Sequence, residues 1–313
     1  MTSAVPLRAT TARPAMRSAT LADDAAAALV AVRERAPLVQ CLTNEVTTNL
    51  VANALLAIGA SPAMAAVPGE AEQLAAVAGG LLVNLGTPGP DQRACVEPTV
   101  TTALRAGVPW VLDPVAVGVL SVRTRLAEDL LAARPAVVRG NASEVRALAG
   151  LRSSGRGVDA LDTVDAAYAA AVRVSRATGG AVAVSGPTDL VVAGDVAVRV
   201  EAGDPLLTSV TGAGCALGGL VAAFAAVTDP ITAAVGASLA LGIAAERARA
   251  LARGPASFQV ALLDELHLLR GEDLEAAGER LTVDSVAARP AGEAVEGAPA
   301  GGSTGRHVPG ARS

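Results

Sequence analysis

Between residues 80 and 184 the chain alternates short, unbroken apolar runs with longer alanine-rich stretches carrying Arg, Glu and Asp at helical spacing. The runs are GLLVNL at 80–85, PWVL at 109–112, AVV at 136–138 and GAVAV at 180–184; the stretches between them include 91–106 and 162–177. A strand that is apolar on both faces must be covered on both faces. Such strands alternating with helices therefore read as a parallel sheet between two helical layers. LVVA at 190–193 and VAVRV at 196–200 flank Gly194-Asp195, the signature of a β-hairpin. Beyond the hairpin the pattern is mostly helical to about Gly271. The expectation is an α/β sandwich with a mostly parallel central sheet, a late hairpin and a helical C-terminal third.

Composition narrows the function. The chain has 313 residues, and 25 basic residues stand against 30 acidic ones, a net charge of −5. All the basic residues are arginine. With one Trp, one Tyr and two Phe, it has neither the basic footprint nor the stacking platform of a nucleic-acid binder. Cys41, Cys95 and Cys215 are widely spaced with no CxxC pair, which argues against a disulfide framework or zinc site and for a reducing, cytoplasmic compartment. The only histidines are His267 and His307, so a histidine metal cluster is set aside and a Ser/His/Asp triad would rest on His267. The apolar stretches 213–227 and 231–245 fall short of the roughly 20 residues of a membrane span and are rich in Ala and Gly, so they read as buried helices. Arg8, Arg13 and Arg17 near the N-terminus are not followed by the apolar core of a secretory signal. Residues 1–20 and the Gly/Pro/Ala-rich 284–313 read as disordered extensions of one domain at 21–283.

Four of the apolar runs exit into polar residues: NLGT at 84–87, DP at 113–114, RGN at 139–141 and SG at 185–186. In open parallel sheets ligands bind outside the carboxyl ends of the strands, so these exits mark a candidate site. The segment VTGAGC at 210–215 precedes an uncharged run. It reads either as a plain tight turn into a buried helix or as an anion hole, in which the backbone amides of Gly212, Ala213, Gly214 and Cys215 face a phosphate or oxyanion at a helix N-terminus. No GK[ST] follows, so it is not a Walker A loop. Cys215 would lie in the first helical turn, where the dipole lowers a thiol pKa, unless it is simply a small buried side chain. Asp113 either initiates a turn before Pro114 or holds Mg²⁺ through water. Asn141 and Glu144 have capping-box spacing, and Glu144 is also placed to be a second magnesium carboxylate; the two roles are compatible. Arg139 is either a phosphate ligand or a solvated strand end.

Taken in order, CLTN at 41–44 with Asn49 and Asn53, GASPAM at 59–64, NLGT at 84–87, LDPV at 112–115, RGNASE at 139–144 and TGAGC at 211–215 resemble the hydroxyethylthiazole kinase family of the ribokinase-like superfamily. GPASF at 254–258 is similar to that family's C-terminal region, and the resemblance covers about residues 25–271. It implies a ribokinase-like three-layer αβα sandwich and Mg²⁺-dependent transfer of phosphate from ATP to the primary hydroxyl of 4-methyl-5-(2-hydroxyethyl)thiazole, in thiamine biosynthesis and salvage. It further implies a homotrimer with active sites between subunits. Carried onto this sequence, Met64 contacts the thiazole with Asn44 and Val46 nearby, and Gly212 contacts substrate through its backbone. Arg139 and Ser185 bind ATP, Asp113 and Glu144 organise Mg²⁺, and Cys215 stands beside the acceptor hydroxyl, where many ribokinase-like enzymes place an aspartate base. Glu45 occupies a position where the family often has an aromatic or apolar residue. The competing readings are a ribokinase-like kinase for another small alcohol, such as a sugar or a hydroxymethylpyrimidine, a non-catalytic binding protein that has kept the fold, and, more remotely, a membrane transporter.

Overall fold

The computed structural model describes residues 17–151 and 163–286. Helix α1 (Ser18–Arg35) leads into β1 (Leu38–Leu42); α2 (Thr48–Ala57) is followed by β2 (Ser61–Ala63), and α3 (Glu70–Ala75) by β3 (Gly80–Asn84). Then come α4 (Pro90–Ala106) and β4 (Trp110–Asp113), α5 (Ser121–Leu131) and β5 (Val137–Asn141), and α6 (Ala142–Leu148) and α7 (Tyr168–Thr178) before β6 (Ala181–Ser185). The hairpin β7 (Asp189–Ala193) and β8 (Val196–Val200) precedes α8 (Ala213–Ala225), α9 (Pro230–Leu251), α10 (Pro255–Leu268), α11 (Gly271–Glu275) and β9 (Leu281–Ser285).

These strands form one sheet in the order β2-β1-β3-β4-β5-β6-β7-β8-β9. Pairing is parallel from β2 through β6 and antiparallel from β6 to β9. One face is covered by α1, α2 and α8–α11, with Phe224, Phe258 and Leu55 in its core. The other is covered by α3–α7 around Trp110, Leu81 and Leu112. The three layers follow from strands that are apolar on both sides: β3 and β4 are buried along their whole length. The expected stretches 213–227 and 231–245 correspond to α8 and α9. Every residue of α8 except Gly214 is buried. Among the described residues α9 is long and apolar enough to cross a membrane, but 89% of its apolar window is buried inside the fold.

The structure departs from the expected organisation in three places. Strands β1, β2 and β9 are not among the expected runs; β9 lies beyond Gly271, where the expected helical pattern ends. Helix α1 begins at Ser18 and β9 ends at Ser285, so the folded region is wider at both ends than the expected 21–283. The helix expected over 162–177 is α7, which starts at Tyr168 after a 3-10 turn at Asp165–Ala167. Residue 162, and residues 1–16 and 287–313 of the expected disordered extensions, lie outside the described residues.

Candidate active site

The strand registers put the polar exits side by side. Asn84 on β3 pairs with Asp113 on β4, and Asn141 on β5 pairs with Ser185 on β6. The N-terminus of α8 comes down over this edge. Gly212 is its N-cap at φ 92°, a left-handed conformation that favours glycine, and a Cβ there would lie 2.7 Å from Thr47. A Cβ at Gly214 would lie 2.7 Å from Arg139 Nη1, so the guanidinium occupies the space that a side chain would need. The Ala213 N–H turns back to Val210 O at 3.3 Å, and the Ala216 N–H bonds to Gly212 O at 2.8 Å. The amides of Gly214 and Cys215 remain at the open end of the helix, where the dipole favours an anion.

Beneath that turn lies a buried polar network. Asp113 is fully buried, its Oδ2 accepts a hydrogen bond from Asn84 Nδ2 at 2.6 Å, and it stands 3.7 Å from Arg139 Nη1. Asp113 Oδ1 is buried with no hydrogen-bond partner among the described residues. Burial pushes the Asp113 carboxyl up to about 7; the nearby Glu144 charge adds to this, while Arg139 and the hydrogen bond from Asn84 oppose it. Arg139 Nη2 donates to Ser185 Oγ at 2.9 Å. Asn84 is held in turn: its Oδ1 accepts from Gly86 N at 2.9 Å and its carbonyl from Gln92 Nε2 at 3.1 Å.

Glu144 fills the capping-box role. Its Oε2 accepts from Asn141 N and its N–H donates to Asn141 Oδ1, both at 2.9 Å. Its Oε1 accepts from Ala116 N at 2.9 Å, and Ala116 sits at φ 61°. Among the described residues no group of three or more His, Cys, Asp or Glu side chains forms a metal cluster. The donor set present, one buried carboxylate with a free oxygen and a second carboxylate close by, suits Mg²⁺, which keeps most of its waters and takes its remaining ligands from phosphates.

The expected lowering of the Cys215 pKa is overturned. Burial pushes the thiol up, and the charge of Asp113 pushes it the same way. Hydrogen bonds from Thr47 and Asn84 and the charge of Arg139 pull it back only in part. The helix dipole is a local effect, whereas burial and Asp113 arrive from the tertiary fold. Cys41 faces the core from β1, where burial pushes its thiol up to about 12.

The acceptor-side candidates sit along the same edge. Asn44 caps a 3-10 turn at Glu45–Thr47; its Oδ1 accepts from Val46 N and from Thr87 Oγ1, each at 3.0 Å. Val46 is 71% exposed, while Met64 is half-buried just past β2. His267 is exposed in the last turn of α10, and the buried network is built without it. The fold thus brings together Asp113, Arg139, Ser185, Glu144, Gly214 and Cys215, and it adds residues to which sequence reasoning assigns no role. Asn84 reaches both Asp113 and Cys215, and Thr47 packs against Gly212. Asp189 fixes the exit of β6, accepting from Gly186 N and Ser238 Oγ at 2.9 Å each. Asn84 was visible as a polar strand exit; Thr47 and Asp189 carried no signal beyond their residue type.

Residues 29–272 match the profile of the Hydroxyethylthiazole kinase family. The chain is 53% identical over 255 residues to the hydroxyethylthiazole kinase of Clavibacter sepedonicus, an alignment covering 81% of this chain and 92% of that protein. The structure of a hydroxyethylthiazole kinase protein from Pyrococcus horikoshii OT3 superposes with a TM-score of 0.75 at 36% identity, covering 84% of this chain and 98% of the other. A ribokinase-like superfamily protein from Enterococcus faecalis V583 superposes with a TM-score of 0.56 at 13% identity, over 84% of this chain and all of the other, a likeness of fold alone.

Proposed function

The chain belongs to the hydroxyethylthiazole kinase family, and from that premise we propose how its residues divide the work of the reaction. It is a kinase of ribokinase-like fold that uses ATP to phosphorylate the primary hydroxyl of 4-methyl-5-(2-hydroxyethyl)thiazole in thiamine biosynthesis. In such a transfer the acceptor oxygen bonds to the γ-phosphorus, the bond to the ADP oxygen breaks, and the hydroxyl gives up its proton. The transition state is loose, so the protein contributes mainly by positioning the reactants and neutralising charge.

Asp113 and Glu144 are the residues that would hold Mg²⁺. The observation that carries this reading is the free, buried Oδ1 of Asp113 beside Arg139. Bound there with ATP, Mg²⁺ supplies neutralisation of the phosphate oxygens. Arg139 and Ser185 bind the phosphates of ATP. The Gly212–Cys215 turn receives the oxygens of the transferred group, chiefly through the amides of Gly214 and Cys215, with the backbone of Gly212 against the acceptor. Met64, Asn44 and Val46 line the acceptor side, and Cys215 lies beside the hydroxyl. Because its thiol is held protonated, Cys215 orients the hydroxyl more than it removes the proton.

A homotrimer with active sites between subunits is the assembly that fits. Val46 at the acceptor side is open to solvent, as are Val119 and Leu120 beyond the 113–118 loop, so apolar surface borders the site. Three free cysteines fit a reducing, cytoplasmic setting.

The test is a coupled assay of ADP release with Mg·ATP and four acceptors: hydroxyethylthiazole, hydroxymethylpyrimidine, ribose and pyridoxal. Turnover selective for the thiazole alcohol is expected. Preference for another acceptor would keep the kinase chemistry and move the explanation to Glu45, the charged neighbour of Val46. A folded protein that binds ATP and turns over none of the four would favour the non-catalytic reading.

A further inference from the structure

Strand β1 reads Leu-Val-Gln-Cys-Leu, and its one strongly polar side chain, Gln40, is fully buried. Its Nε2 donates to two backbone carbonyls, Ala65 O at 3.1 Å and Ala71 O at 2.9 Å. Only the NH₂ end of the amide can serve two acceptors, so the orientation is fixed by its partners. The other end, Oε1, is buried with no partner among the described residues. A buried acceptor left unpaired is a standing cost that an apolar side chain of the same length would avoid. The two carbonyls at the other end account for the amide.

Those carbonyls bracket the strap that runs from the end of β2 to the first turn of α3. Gln40 pairs with Ala63 across the β1–β2 ladder, and Met64 is the next residue. Strand β2 has only three residues, so its ladder does little to fix the strap beyond it. The strap crosses the edge of the sheet: Met64 packs against the core on one face and Ala66 against the core on the other. A second tie comes from Cys95, whose Sγ donates to Ala66 O at 3.4 Å.

We propose that Gln40 is a positioning residue for the acceptor: by carrying the 64–71 strap on its two hydrogen bonds, it sets where Met64 meets the substrate. This rests on the assignment of Met64 to the acceptor pocket. Gln40 sits inside the fold and acts only through the strap, so its effect falls on acceptor binding and not on ATP.

The experiment compares Gln40→Met, Gln40→Asn and Met64→Ala with the unaltered enzyme, measuring kcat and the KM for hydroxyethylthiazole and for ATP. Hydrogen exchange of the 64–71 amides is followed in each. Gln40→Met keeps the length and removes the donors; Gln40→Asn keeps an amide one methylene too short to reach both carbonyls and serves if the first variant does not fold. The expected result is a rise of about tenfold in acceptor KM for either Gln40 variant, with kcat and the KM for ATP within about twofold. The strap amides should exchange faster at the same time. If Met64→Ala raises the acceptor KM and neither Gln40 variant does, the proposal fails while the pocket assignment survives. If Met64→Ala changes nothing, the pocket assignment fails and takes the proposal with it. Equal damage to kcat and both KM values would mark Gln40 as purely structural and overturn the proposal.

Discussion

At Cys215 a local influence and a tertiary one compete. The first turn of α8 favours a thiolate, but burial and the carboxylate of Asp113 keep the thiol protonated. A thiol in this state is a poor base, and a loose transition state asks little of a base. Cys215→Ala is therefore expected to lower kcat by roughly tenfold, below the usual span for general base catalysis. Cys215→Asp should retain or raise kcat. The introduced carboxylate gains from the helix dipole, and the neighbouring charge of Asp113 holds its pKa near the range where a base works best. Steady-state kinetics on both variants decide the matter; a folded but inactive Cys215→Asp would remove Cys215 from the neighbourhood of the reacting hydroxyl. Residue types at this site are readable in the sequence because Asp113, Arg139 and Ser185 follow directly on apolar runs and Glu144 stands at capping-box spacing from Asn141. Their ionisation is not. The state of Asp113 and of Cys215 depends on which charges the sheet register and α8 bring within reach, and no local pattern encodes that.

At the scale of elements, α8 reaches the sheet edge because it presents no side chain where Arg139 lies. Gly214→Ala would set a methyl group 2.7 Å from Nη1 and 2.9 Å from Nη2 of Arg139. The atoms in the way are the tip of a flexible side chain, so the helix keeps its place and the guanidinium moves away from Ser185 and Asp113. The expected outcome is a KM for ATP raised about tenfold, with a stability change within about 1 kcal/mol. Initial rates against ATP and a melting curve check both; an unchanged KM for ATP would mean that Arg139 does not meet the phosphates. The same contrast explains which elements could be foreseen. Strands β3 to β6 each begin in an apolar run buried on both faces and announce themselves by it. Strand β1 is interrupted by Gln40, β2 is only Ser-Pro-Ala, and β9 is half-exposed Leu-Thr-Val-Asp-Ser. Each of these three owes its conformation to the neighbour it pairs with more than to its own pattern.

For the molecule as a whole, the buried network couples stability to pH. Asp113 titrates near 7 in the folded protein, against 3.8 for an ordinary aspartate. The folded state therefore holds this proton more tightly than the unfolded chain does. The resulting stabilisation is fully present below the unfolded pKa and is lost as pH rises through the folded one, a change of up to about 4 kcal/mol. Without nucleotide or divalent metal, the Tm should fall between about pH 4 and about pH 7 and level off above, and Asp113→Asn should flatten that slope. A slope of the same size in the variant would assign the effect to other groups. Strand β2 carries a different consequence for the whole molecule. Ser61 spends its N–H inward, on Pro37 O at 3.0 Å, so the next N–H along would face outward, and residue 62 is proline. The outer margin of the sheet therefore offers a visiting strand no donor at its centre and only three residues to grip. The sheet, nine strands wide among the described residues, is in this way protected against templated fibre growth at that margin.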